Sequence, residues 1–207
     1  MEALTGDVTI EAIGDQGDGL ARLDRQPISV PLTLPGDRVL VRAARRSGRA
    51  PGEILAWRSR APRAEPPCRH FGTCGGCRLQ HLDEEAYRRW VGHKVERALA
   101  RHEFSGAEVR SAAITPPGSR RRMRLGFVRS GGRLRLGLRA LASHRIVEVE
   151  ECPIARPAIV GLFQPLRTML GQLVVDQGEV LITETPGGLD VLLIGADQPD
   201  HAARERR

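Results

Sequence analysis

Three of the four cysteines in this chain fall within ten positions, and the fourth lies far away. Cys68, Cys74 and Cys77 form a C-x5-C-x2-C run, Cys68-Arg69-His70-Phe71-Gly72-Thr73-Cys74-Gly75-Gly76-Cys77, and Cys152 follows 75 positions later in Glu151-Cys152-Pro153. Whatever joins these thiols closes a long loop, and so constrains the fold more than any other feature. A disulfide account is poor. The stretch Met1-Glu2-Ala3-Leu4-Thr5-Gly6 lacks the basic and apolar regions of a signal peptide, and no apolar run approaches the ~18 residues of a spanning helix. A cytoplasmic, reducing environment without a membrane partner is therefore expected. Inert buried cysteines would give no reason for tight spacing around two glycines.

A metal centre is the natural reading, and both zinc and an iron-sulfur cluster can take four thiolates. Zinc sites usually combine short C-x2-C pairs with each other or with histidines. A close trio completed by a remote Cys-Pro instead follows the ligation layout of bacterial ferredoxins. The pattern favours a [4Fe-4S] cluster on Cys68, Cys74, Cys77 and Cys152, with Gly75 and Gly76 free to turn backbone amides toward sulfide. Zinc, with His70 or His81 replacing a thiol, stays open as the alternative.

With 207 residues, 41% hydrophobic and 28% charged, the chain has apolar surface for one large or two small cores, which excludes a disordered or membrane-embedded class. An α+β organisation is expected. Short apolar or β-branched runs at 8–13, 19–23, 26–30, 37–43 and 52–57, separated by turn signals, suit an OB-like five-stranded β-barrel over residues 1–60. The glycine-rich stretch 14–19 lacks the strand-to-helix context of a dinucleotide fingerprint and reads as a hairpin loop. A stiff Pro-rich segment at 61–67 opens a mixed α/β domain expected over 61–197, and 198–207 reads as a polar tail.

Past the cysteines, Asp83 suits an N-cap, Glu84 and Glu85 complement the dipole of the first turn, and Leu82 with Tyr87 forms a hydrophobic staple. Tyr87, Val91, Val95, Ala98 and Leu99 recur at helical spacing, which predicts a buried face. Trp90 reads as core or shielding, and Arg88, Arg89, Arg97 and Arg101 as a solvated face. Further on, Ile159, Leu162, Phe163, Leu166 and Leu170 mark a second helical stretch, with Pro157 in a first turn and Pro165 forced to kink or divide it. The segments 179–185 and 189–196 flank Pro186-Gly187-Gly188 as a hairpin.

Charge is concentrated between these helices. Lys94 is the only lysine among 32 basic residues, and from Val109 through Val147 there are ten arginines and no acidic residue. Around Gly131-Gly132, Arg122 and Arg124 alternate with Met123, Leu125 and Phe127, and Arg133, Arg135 and Arg139 with Leu134, Leu136 and Leu138. Successive side chains on a strand face opposite ways, so the pattern predicts a two-stranded ribbon with one greasy side and one side of five arginines. Such crowding repels unless an anion joins it. This surface is read as facing a polyanion, through phosphate contacts because aromatics make up only 3% of the chain, with ordinary solvated or ion-paired arginine as the alternative; with Arg120 and Arg121 it is the candidate RNA-binding set.

Four features together resemble the iron-sulfur-containing bacterial 23S rRNA (uracil-5-)-methyltransferase family. They are Cys68-x5-Cys74-Gly75-Gly76-Cys77-x2-Gln80-His81-Leu82, a following helix containing Lys94, Arg120-Arg121-Arg122-Met123-Arg124-Leu125-Gly126, and Glu151-Cys152-Pro153. In that family an N-terminal TRAM barrel precedes a central [4Fe-4S] domain. Residues 7–59 resemble that barrel and 179–193 the central-domain hairpin. The resemblance implies methyl transfer from S-adenosylmethionine to C5 of a uridine in structured RNA, with 23S rRNA as partner and a monomeric protein. Such chemistry needs a cysteine thiolate to attack C6, a base to remove the C5 proton, and a Rossmann-like domain for the cofactor. Neither the nucleophile nor that domain is visible: the four thiols are committed to the cluster, and no strand-to-helix glycine turn follows residue 152. No catalytic residue and no S-adenosylmethionine contact is assigned in this chain. It is expected to be the RNA-binding and cluster-bearing amino-terminal portion of such an enzyme, inactive alone, the cofactor belonging to the missing domain. A free-standing RNA-binding module with a cluster or zinc is the alternative reading, and a zinc-stabilised interaction protein a third.

Overall fold

The structure, a computed structural model, describes residues 3–102, 104, 106–173 and 175–195. The tail at 198–207 and the last residue of the strand expected at 189–196 lie outside them. The chain divides into two compact units, Met1–Pro67 with Cys77–Ile114, and Cys68–Gly76 with Thr115–Arg207.

Unit 1 holds six strands: β1 (Ala3–Thr9), β2 (Ala12–Ile13), β3 (Gly19–Leu23), β4 (Gln26–Val30), β5 (Arg38–Ala44) and β6 (Ala50–Ser59). They form one curled sheet in the order β1-β5-β6-β4-β3-β2, with β4 and β6 parallel and the other pairs antiparallel. Alternate residues on each strand point inward, so Leu4, Val8, Leu23, Ile28, Val30, Val39 and Val41 fill the core with Ile10. The strand expected at 8–13 is in fact two elements. At Ile10 the ladder changes partner: the Ile10 amide donates to the Asp37 carbonyl, whereas the Glu11 amide donates to the Leu20 carbonyl. Gly19 permits the tight curl, because a Cβ there would lie 2.1 Å from Thr33 Oγ1 and 2.7 Å from Ile10 Cγ2. Asp37 is fully buried. Its carboxylate accepts from the Leu34 amide at 2.7 Å, the Ala61 amide at 2.7 Å and the Arg63 guanidinium, fastening the end of β6 back onto the sheet.

Helix α1 (Glu84–Ala100) completes unit 1, with the Asp83 side chain capping the Ala86 amide at 2.8 Å and both acidic residues in the first turn. The expectation of a buried face is corrected here. No residue of α1 is buried, and Val95 is 45% exposed. The helix is held instead by polar contacts with the β2–β3 loop: Trp90 Nε1 donates to the Gly14 carbonyl at 3.1 Å, and Arg97 and Arg101 both reach the Asp15 carboxylate. Trp90 also stacks on Tyr87, which makes it a packing residue of this contact.

Unit 2 is a five-stranded antiparallel sheet, β7 (Arg122–Ser130), β8 (Arg133–Arg139), β9 (Ile146–Glu148), β10 (Gln177–Thr185) and β11 (Gly188–Gly195), in the order β11-β10-β7-β8-β9. The expected ribbon of β7 and β8 therefore lies inside a larger sheet, because the hairpin of β10 and β11 adds to the free edge of β7. One face packs Met123, Leu125, Phe127, Leu136, Val180 and Ile182 against α2 (Pro157–Gly161) and α3 (Phe163–Gln172), which contribute Ile159, Phe163, Leu166 and Leu170. The division between these helices falls at Leu162, as the proline requires. Pro165 has no amide to donate to the Gly161 carbonyl four residues back, and its ring crowds that oxygen.

Candidate functional site

The part of the cysteine run from Cys68 to Gly76 is anchored to the β8 end of unit 2. Cys74 forms an isolated antiparallel bridge with Ala140, in which the Gly75 amide donates to the Arg139 carbonyl at 2.9 Å and the Leu141 amide to the Thr73 carbonyl at 3.0 Å. Cys74 is buried, Cys152 packs half-buried against the same core, and none of the four cysteines is in a disulfide. Of the two glycines expected to turn amides toward sulfur, only Gly76 does so, donating to Cys74 Sγ at 3.3 Å. The Gly75 amide is spent on the bridge. A Cβ at Gly75 would lie 3.0 Å from the Arg139 carbonyl oxygen, so that glycine serves close backbone approach.

The segments carrying Cys68 and Cys152 meet through their neighbours. Arg69 Nε donates to Glu151 Oε1 at 2.8 Å, and that hydrogen bond holds the Glu151 carboxyl below the usual carboxylate range, with the His70 ring adding to the effect. His70 Nε2 is buried and has no hydrogen-bond partner among the described residues. In unit 1, burial is the main cause holding His81 below its ordinary value of 6.5, with the Arg63 cation second, so the ring favours its neutral form. Among the described residues, no three His, Cys, Asp or Glu side chains are gathered as a metal-ligating group. The donor chemistry nonetheless suits a soft metal: thiols outside any disulfide, one of them accepting a backbone N–H, in a run that also carries an imidazole nitrogen without a partner.

The arginine face is built by register. Gly126 stands opposite Gly137 and Val128 opposite Arg135, which places Arg122, Arg124, Arg133, Arg135 and Arg139 on the side away from α2 and α3. The structure brings counter-charges that the run from 109 to 147 does not contain. Arg124 and Arg139 share the carboxylate of Glu179 on β10, at 3.0 and 2.9 Å, and Arg133 pairs with Glu148 on β9 at 3.0 Å. Arg120, Arg121, Arg122 and Arg135 have no ion-pair partner among the described residues. Arg120, Arg121 and Arg122 are exposed, and Arg120 sits in a parallel bridge to Ala155. Glu179 and Glu148 are the residues that sequence reasoning missed. Glu179 comes from a segment read only as one arm of a hairpin and Glu148 from one given no role, and the pairing of β10 with β7 is what carries Glu179 to the arginines.

The same face holds an open cleft of about 690 Å³, lined by Gly126, Val128, Arg135, Arg145, Ile146 and Ile194 among others. Among the described residues no helix is long and apolar enough to cross a membrane.

Residues 4–48, from β1 to just beyond β5, match the TRAM domain family. The chain is 36% identical over 209 residues to an uncharacterized RNA methyltransferase of Rhizobium meliloti, covering 97% of this chain and 49% of that protein. A similar protein of Caulobacter vibrioides is 39% identical over 201 residues, with 93% and 47% covered. The 23S rRNA (uracil(1939)-C(5))-methyltransferase RlmD of Halomonas elongata is 37% identical over 211 residues, with 97% and 43% covered. The chain thus spans about half the length of the curated relatives it matches. It is, along nearly its whole length, a homologue of one part of proteins named RNA methyltransferases, and its first strands are similar to a TRAM domain.

Proposed function

We propose that this chain is the RNA-binding, cluster-bearing portion of a cytoplasmic, monomeric RNA (uracil-5-)-methyltransferase whose substrate is structured RNA, 23S rRNA foremost. The observation that carries the reading is the 37% identity, across 97% of this chain, to a 23S rRNA uracil-C5 methyltransferase. The arginine face supports it physically. Arg120, Arg121, Arg122 and Arg135 present guanidinium forks without internal counter-ions, and such forks suit phosphate oxygens bidentately. Arg124, Arg133 and Arg139 form a second row on the same face whose charge is partly offset by Glu179 and Glu148.

In this reading Cys68, Cys74, Cys77 and Cys152 hold a [4Fe-4S] cluster that ties the cysteine run to the loop at Cys152 that follows β9. Ligands of this kind commonly converge only as the metal binds, because metal affinity and folding free energy are coupled. Uridine methylation moves no net electrons, so the cluster is structural. S-adenosylmethionine supplies the methyl group from a domain outside this chain, and the chain alone does not methylate.

The test is a titration of the chain with a 23S rRNA fragment across a salt series, alongside a methyl-transfer assay with S-adenosylmethionine. Tight binding at low salt that weakens steeply as salt rises, with no methyl transfer, is expected. Absence of RNA binding at low salt would overturn the reading.

A further inference from the structure

The cleft on the arginine face carries an inference that rests on the RNA-binding reading and goes beyond it. Three observations meet there. The Glu179 carboxylate, which also lines the cleft, is already paired with Arg124 and Arg139, so one acid faces several cations. Arg135 and Arg145 both line the cleft and have no ion-pair partner among the described residues, and Arg135 is half-buried. Two guanidiniums lining one cleft offer donor forks that suit an anion. Beside Arg139, His144, Gln177 and Glu179, part of the wall is aliphatic. The Ile146 side chain leans over Gly126, with its Cδ1 2.6 Å from where a Cβ would stand, Val128 is half-buried beside Arg135, and Ile194 of the edge strand is 39% exposed.

A bare phosphate would need the cations but not the aliphatic wall, and an apolar peptide would need the wall but not the cations. A nucleotide needs both, with its phosphate on the guanidinium forks and its base against aliphatic groups and a guanidinium plane. The volume of about 690 Å³ lies within the range of small-ligand sites. We propose that this cleft takes one unstacked nucleotide of the bound RNA, with Arg135 and Arg145 on its phosphate and Val128, Ile146 and Ile194 against its base. Arg145 thereby joins the RNA-binding set, and the site reads a splayed nucleotide in addition to a phosphate row.

The test uses the 207-residue chain and a 23S rRNA hairpin fragment with an unpaired loop, with affinity measured against salt for three proteins. The wild type should bind. Arg135→Gln/Arg145→Gln should bind at least tenfold more weakly, with a log-log salt slope shallower by about one to two. Val128→Trp, which fills the cleft without changing charge, should bind at least fivefold more weakly with an unchanged slope. Arginine modification by phenylglyoxal on the wild type provides a readout independent of variant folding: bound RNA should protect Arg135 and Arg145. If the wild type binds RNA while both variants match it, or RNA leaves the two arginines unprotected, the cleft assignment is overturned and the RNA-binding reading survives. If only the double arginine variant weakens, the site holds a phosphate alone and the nucleotide assignment is overturned. A wild type that does not bind RNA overturns both.

Discussion

Arg139 on β8 donates from Nη2 to Oε1 of Glu179 on β10, 2.9 Å away, across the intervening strand β7, where Gly126 stands opposite Glu179. The other oxygen of the same carboxylate takes Arg124 at 3.0 Å. The sheet thus supplies an internal anion to two of its arginines and leaves others for a ligand. Glu179→Gln should release both cations. Because the two arginines are about half exposed, the effect on stability should stay below about 1 kcal/mol. Affinity for RNA at low salt should rise, by about fivefold if a repulsion on the order of 1 kcal/mol is removed. A filter-binding comparison with the wild type checks this, and weaker binding would mean that Glu179 positions the arginines rather than competing for them.

The crossing of β8 and β9 depends on a residue with no side chain. A Cβ at Gly137 would lie 1.9 Å from the Val147 carbonyl oxygen, which is backbone in the paired strand, whereas a Cβ at Gly126 would meet only the far end of the Ile146 side chain. Gly137→Ala should destabilise unit 2 by about 3 kcal/mol or more, and Gly126→Ala by markedly less, because a flexible side chain can move and a ladder cannot. Thermal unfolding of the two variants measures the difference. Equal losses would mean that the tight packing at Gly137 relaxes.

Much of this architecture is legible in the chain itself. The alternation of Met123, Leu125 and Phe127 with arginine fixes both strand type and buried face, Asp83 marks a helix start to the residue, and Pro165 announces a break. Local pattern fails where the deciding contact is distant. Nothing near residues 8–13 reports that Ile10 changes its ladder partner, and the helical spacing of Tyr87, Val91 and Val95 cannot tell a core from a loop carrying Asp15. The counter-charges of the arginine face were hidden for the same reason. Glu179 is 55 positions from Arg124, and only the pairing of β10 with β7 brings them together.

Protonation of His81 gives unit 1 a pH dependence with a definite sign. Burial and the Arg63 cation hold the imidazole below its ordinary 6.5, against the opposing pull of Asp37. The unfolded chain therefore takes up a proton near 6.5 that the folded chain refuses. The stability contributed by the neutral ring is complete above that pH and declines as pH falls from 6.5 toward the lowered folded value. The unfolding midpoint should drop between pH 7.5 and pH 5.5, and His81→Gln should flatten that drop. An identical pH profile in the variant would show that His81 does not titrate in this window.

Four thiols acting on one inorganic group is the central claim, and anaerobic purification followed by iron, acid-labile sulfide and zinc assays with a visible spectrum tests it most directly. The account predicts a brown protein with about four iron and four sulfide per chain, a broad absorption in the visible, and loss of both cluster and yield in Cys152→Ser. A colourless preparation holding one zinc per chain, or a Cys152→Ser variant that folds and yields like the wild type, would contradict it.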